Sequence, residues 1–366
     1  MRNLTVNGLI LGALLWLATS ITMVAVAADS NVGDATDPFL WLEQVNDPRA
    51  MDWVRAENAK TAGVLEKDDR YGALYQAALR LAQAKDRIPE PAILSGKVYN
   101  LWQDAGHAHG LWRRTDFAGY QQADSPWESV LDLDALSAAE KANWFWGGAQ
   151  CAQPAEQDCM ISLSDGGEDA VTAREFDLRS GTFVAGGFAL PKGKQDLGWQ
   201  GRDALLVSRE WSPGELTNSG YPYVVKRLAR GQALAAASEL YRGEPSDVGV
   251  SPVTLQDGSG HELLLIARYL TFFESEYRLV GPKGLELPAL PRKLNLVGLL
   301  DNQLILETRQ DWRTDARSLI AQGSLVAIDV ARLRAAPAQL HPTLIYAPEA
   351  RHALAEARAS IRRRSR

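Results

Sequence analysis

Basic charge is in short supply in this 366-residue chain: 39 Lys and Arg against 45 Asp and Glu leave a formal net charge of −6. Binding a phosphate backbone needs a clustered cationic face, so no nucleic-acid partner is expected. Cysteine is nearly absent, with only Cys151 and Cys159, and there are five histidines. No other Cys or His stands near the cysteine pair in sequence, so a zinc-type centre is not expected there. Also missing is Gly-x-Ser-x-Gly, the pentapeptide that lets a nucleophilic serine sit on a tight strand-to-helix turn. Ser219 precedes Gly220 but has Thr217 two places before it, and Ser324 follows Gly323 but precedes Leu325. Neither a P-loop nor a dinucleotide-binding glycine fingerprint occurs, so no cofactor is implied.

One long apolar run is present. Met1-Arg2-Asn3 makes a short basic start, residues 9–26 are almost wholly apolar, and Ala25-Val26-Ala27 supplies a small-x-small exit. That pattern is the signature of a signal peptide over residues 1–27, cleaved near Ala27. The expected product is exported, periplasmic or secreted, with no membrane attachment after cleavage. A retained anchor is the alternative, since roughly 18 apolar residues just span a bilayer. In an oxidising compartment Cys151 and Cys159 are expected to close a small disulfide loop, with two free thiols as the alternative.

Residues 28–90 read as a helical segment. Trp53, Val54 and Asn58, then Tyr71 onward, carry apolar residues at spacings of three and four, and Pro89 and Pro91 stop the pattern. Over 91–349 the texture changes to short β-rich runs between Gly, Asp and Pro punctuation, among them 97–102, 205–209, 263–268 and 304–309. Polar turns recur near Asp132, Leu178, Leu228, Val280 and Asp329, at steps of 46, 50, 52 and 49 from the numbering. A period near fifty built of antiparallel strands is expected of a β-propeller; strand spacing alone also fits a sandwich or a barrel. The fold class expected is mainly β, an incomplete seven-bladed-type propeller of about five to six blades, the last beginning near Leu344-Ile345-Tyr346. Residues 350–366 read as a basic tail, either a solvated helix or a stretch foreign to the fold.

Candidate chemistry is thin. His107 and His109 share a strand face but have no third ligand nearby, and they read as a Gly-flanked hairpin tip rather than a metal site. His261 falls in another turn, read as exposed. Glu274 and Glu276 lie in an aromatic run, and Glu210 or Asp311 could approach them from neighbouring blades; paired carboxylates of this kind serve glycosidases. Solvent-facing acids are the bland reading.

Asp37-Pro38-Phe39-Leu40-Trp41-Leu42-Glu43, followed by Trp53, Val54 and Asn58 on a helix, resembles the opening of the prolyl oligopeptidase family of serine peptidases. Val98 to Asp104, Gly110 to Thr115, Ser219 to Pro222, Gly243 to Asp247 and Thr271 to Tyr277 resemble its propeller, in the family's order, and the likeness runs from about Asp37 to Ala347. The resemblance implies a helical segment that belongs to an α/β-hydrolase domain, a propeller that admits short peptides, and a Ser-Asp-His triad in a C-terminal domain. No residue here matches a triad member, so no catalytic residue is assigned. The function expected is the gating, substrate-admitting portion of an exported endopeptidase, truncated and inactive alone, with short peptides and a separate α/β-hydrolase chain as partners. Alternatives are a stand-alone binding propeller and, less favoured, a glycosidase.

Overall fold

The computed structural model describes residues 37–44, 47–84, 88–282, 284–315, 318–350 and 352–357. The leader expected over 1–27 and most of the basic tail lie outside these residues. The described part divides into a helical unit and a β unit that begins at Ile88.

In the helical unit, Asp47 ends the preceding chain by accepting hydrogen bonds from the amides of Arg49 and Ala50, and Pro48 opens the helix Pro48–Leu65. A second helix spans Tyr71–Ala82. The signature residues fold onto one another: Trp41 meets Trp53 edge-on at 6.4 Å, and the Arg49 guanidinium lies 4.1 Å over the Trp41 ring. Asp37 accepts from the Phe39 amide and so fixes the turn into the short helix Leu40–Glu43 that also carries Leu42. Val54 and Asn58 lie on the exposed side of the first helix. No helix among the described residues is long and apolar enough to cross a membrane.

The β unit is a succession of five antiparallel sheets. The first contains Ala92–Leu94, Lys97–Asp104, His107–Thr115 and Glu128–Asp132. The second contains Trp144–Cys151, Asp158–Asp165, Val171–Asp177, Thr182–Phe183 and Ala189–Gly193; the third contains Gln195–Gln200, Ala204–Arg209, Val224–Ala229 and Ser238–Arg242. The fourth contains Gly249–Gln256, Glu262–Tyr269, Ser275–Gly281 and Gly284–Glu286; the fifth contains Leu294–Leu300, Gln303–Thr308, Leu325–Asp329 and Thr343–Tyr346. A hairpin, Trp312–Arg313 with Leu319–Ile320, projects from the fifth.

The second strands of the inner sheets carry strong apolar runs because neighbouring sheets cover both of their faces. In Ala204–Arg209, Leu205 and Val207 join Leu190 and Trp199 in one cluster, whereas Leu206 joins Val250 and Ile266 in another. A third cluster, with Tyr99, Trp112, Ile161 and Phe176, ties the first sheet to the second. A fourth, with Leu263, Leu265, Leu304 and Leu306, ties the fourth sheet to the fifth.

Two expectations are corrected. Thr343–Tyr346 pairs with the strand before it, Leu344 opposite Val326, and so closes the fifth sheet rather than opening a sixth. The sequence missed this because the short helix Val330–Ala335, capped by Asp329, separates the two strands. Asp132 ends the fourth strand of its sheet whereas Leu228 and Val280 lie on third strands, so the first 46-residue step compares unlike positions. In the described part of the tail there is no helix, and Glu349 and His352 form an isolated bridge.

Cys151 and Cys159 face each other across the first two strands of the second sheet and are joined by a disulfide. Closing so short a loop restricts the unfolded chain, for which the chain-entropy model gives about 2.5 kcal/mol. Reduction is therefore expected to lower the unfolding free energy by about that amount in urea titrations followed by tryptophan fluorescence. A change under about 0.5 kcal/mol would show that the paired strands hold the loop unaided.

Candidate functional site at the leading end of the sheets

In an antiparallel four-stranded sheet the first and third strands start, and the second and fourth finish, at the same end. Every link from one sheet to the next therefore lies at that leading end. So do the loops between second and third strands, including residues 210–223, 270–274 and 309–324. Loops placed this way on a rigid scaffold are where binding residues concentrate.

The first strands of adjacent sheets lie against one another. A Cβ on Gly198 would stand 2.5 Å from the Thr254 hydroxyl, so only glycine permits the approach. The Thr254 hydroxyl donates to the Trp199 carbonyl at 2.9 Å, and the Trp199 indole donates to the Gln150 carbonyl at 2.8 Å. These bonds link the first strands of the second, third and fourth sheets. Near the leading end of the same strands, the Ser251 hydroxyl donates to Asp196 Oδ2 at 2.6 Å. The Asp196 carboxylate is open to solvent, yet protein crowding it pushes its pKa up, opposed only by Ser251. A narrow wet cleft does both, because water reaches the carboxylate while protein replaces its outer hydration. Burial first, then Tyr277 and the Asp196 charge, push the Tyr269 hydroxyl up as well, so it stays a neutral phenol.

Beside this cleft the leading end carries cations on aromatic faces. Lys194 Nζ is 4.5 Å from the Tyr221 ring centre and Lys226 Nζ is 5.0 Å from that of Trp211. Arg209 donates to the Gln195 side chain and the Pro191 carbonyl, and burial lowers its pKa. Phe272 and Phe273 meet at 5.1 Å on an exposed loop that the Thr271 hydroxyl pins by accepting from two backbone amides.

The residues singled out in the sequence are placed as follows. His107 Nδ1 is 3.0 Å from Asp104 Oδ1, and Asp104 also accepts from the Trp102 indole and two amides, which hold its carboxyl far below the usual range. His109 is wedged between Asn143 Oδ1 at 2.9 Å and Asp134 Oδ1 at 3.0 Å. The two histidines thus serve separate acids, and no group of three metal-ligating side chains occurs among the described residues. His261 is not merely exposed: it bonds Asp257 at 2.7 Å, and Asp257 also accepts from the Asn302 amide of the next sheet. The carboxylate set does not assemble. Glu276 pairs with Arg292 and Arg278, Glu274 with Lys293, Glu210 accepts from the Gly214 amide, and Asp311 from that of Gln322. Ser324 is buried with its amide on Thr308. Asp196 was missed; its signal in the sequence is a lone acid in a strand whose other residues are Leu197, Gly198 and Trp199 between two glutamines.

Comparison with known proteins bears on what this end serves. A family model described as the prolyl oligopeptidase N-terminal β-propeller domain matches residues 22–267. An uncharacterized peptidase of Sinorhizobium fredii is 39% identical over 347 residues, covering 92% of this chain and 48% of the relative. An uncharacterized peptidase of Rickettsia prowazekii is 27% identical over 302 residues, covering 79% of this chain and 42% of the relative. The chain spans about half the length of the curated relatives it matches. Among solved structures, a post-proline cleaving enzyme from Rickettsia typhi superposes with a TM-score of 0.75 at 25% identity, covering 85% of this chain and 47% of that one.

Proposed function

This chain belongs to the prolyl oligopeptidase family, and from that premise we propose that it is the substrate-admitting propeller part of an exported serine endopeptidase for short peptides. The observation that carries the reading is the match of the family's propeller domain to residues 22–267. The leader pattern over residues 1–27 and the Cys151–Cys159 disulfide support export. Acyl transfer needs a serine activated by a base and an oxyanion hole. These residues carry no Gly-x-Ser-x-Gly, so that chemistry is assigned to an α/β-hydrolase domain. The role of the chain itself is selective binding: peptides reach the leading end of the sheets, where cations, aromatic rings and a solvated carboxylate line the loops.

Two measurements on the purified chain test this. A proline-containing chromogenic peptide is expected to show no turnover, and a fluorophosphonate probe no labelling. Short fluorescent peptides are expected to bind saturably in anisotropy titrations. Labelling of this chain would reveal a nucleophile and overturn the division of labour. Absence of saturable binding would overturn the substrate-admitting role.

A further inference from the structure

The Asp196 carboxylate stands apart from the other strongly placed acids of the β unit. Glu175, Asp247, Asp158 and Glu276 each face an arginine. Asp196 forms no ion pair among the described residues, and its one protein partner is the Ser251 hydroxyl. A carboxylate that protein has partly desolvated loses free energy unless a cation compensates it. Among the described residues nothing supplies that cation, and Asp196 is exposed to solvent.

We propose that Asp196, with Ser251 and Tyr269, is a subsite for a primary ammonium group of the bound peptide. The inference rests on the substrate-admitting reading and specifies one of its contacts. Ser251 takes one acceptor position on Oδ2, which leaves Oδ1 and the rest of Oδ2 to incoming donors. A compact ammonium, a point charge with three donors, can use those positions without needing a fixed fork. A divalent metal is disfavoured because the cleft offers one carboxylate, and its other oxygens are neutral hydroxyls. Tyr269 remains a neutral phenol, so it adds no second negative charge beside Asp196. Gly198 on the same strand is where Thr254 of the next sheet packs in, which brings the strand of Ser251 up to Asp196.

The ammonium can come from a peptide N-terminus or from a lysine side chain, and three fluorescent peptides separate these sources. One has a free N-terminus and no lysine, one is N-acetylated with an internal lysine, and one is N-acetylated without lysine. At least one ammonium-bearing peptide is expected to bind about tenfold tighter than the third, a difference of 1.4 kcal/mol. In Asp196→Asn that advantage is expected to vanish while binding of the third peptide is unchanged. Equal binding of all three to the native chain overturns the subsite, as does an equal loss for all three in Asp196→Asn.

Ligand-observed NMR with n-butylammonium and n-butanol separates this inference from the reading beneath it. Saturable n-butylammonium binding that Asp196→Asn abolishes supports the ammonium site even if no peptide binds, in which case only the substrate-admitting role falls. No preference for n-butylammonium over n-butanol sinks the subsite. Asp196→Asn is expected to leave the thermal midpoint unlowered, since the amide oxygen still accepts from Ser251 and no desolvated charge remains. A fall of several degrees would mark Asp196 as structural instead.

Discussion

Replacing Arg230 by methionine is expected to cost about 3–5 kcal/mol of unfolding free energy, although Arg230 itself lies near the surface in a turn. The cost arises at its partner. Glu175 is buried on the third strand of the second sheet, at 2% side-chain exposure, and both its oxygens receive the Arg230 guanidinium at 2.9 Å. The Phe188 amide donates to the same carboxylate at 2.8 Å, and a Cβ on Gly187 would meet it at 2.7 Å, so the pocket is closed on that side. Without Arg230 the carboxylate keeps one amide donor and no countercharge, and a buried unpaired charge is among the most destabilising changes a fold can suffer. Methionine retains an unbranched apolar stem, while the guanidinium that lies 4.6 Å over the Phe188 ring is lost together with the charge. Adding Glu175→Gln in the same chain is expected to recover most of the loss, because a neutral amide needs no cation. Urea midpoints at unchanged slope would report both effects. A loss below about 1 kcal/mol for the single variant would mean that water reaches Glu175.

The second large effect is expected at Phe176, whose replacement by alanine should cost about 3–5 kcal/mol through lost burial and a residual cavity. Phe176 is fully buried, 5.1 Å from Phe183 and 6.2 Å from Trp112, within the cluster that joins the first two sheets. Tyr99 and Trp146 crowd Trp112 at 5.2 and 4.8 Å, so rigid rings surround the space and collapse into it is poor. Phe273→Ala is the contrasting change. Its ring is 75% exposed, and a stability change within about 0.5 kcal/mol is expected. Comparable losses for the two variants in the same titration would contradict the assignment of the core.

What was legible in the sequence follows from which strands are covered on both faces. Leu263 to Ala267 announce themselves because neighbouring sheets bury both sides of that second strand. Leu304 to Leu306 do so because the fourth sheet covers Leu304 and Leu306 while Ile305 packs within its own sheet. First strands stay hidden in the sequence. Gln195–Gln200 contains Asp196 and Gly198, and Gly249–Gln256 contains Ser251 and Pro252. There the close approach of two sheets selects small residues over apolar ones, and the candidate site lies among them. The family signature at Asp37 to Glu43 was legible because it is local. The carboxylate set of Glu274, Glu276, Glu210 and Asp311 was misread for the opposite reason: the partners Arg278, Arg292 and Lys293 act on side chains that adjacency alone cannot pair.

Four of the apolar clusters each join one sheet to the next, a fifth around Val297 and Ile305 lies within the fifth sheet, and among the described residues none joins the fifth sheet to the first. Stability in such an array is a sum over units and nearest-neighbour couplings, as in a one-dimensional lattice. The third sheet has two couplings to lose and the outer sheets have one each. Thermal opening should accordingly start at the ends and travel inward as a front, with the strand that carries Asp196 among the last segments to be released.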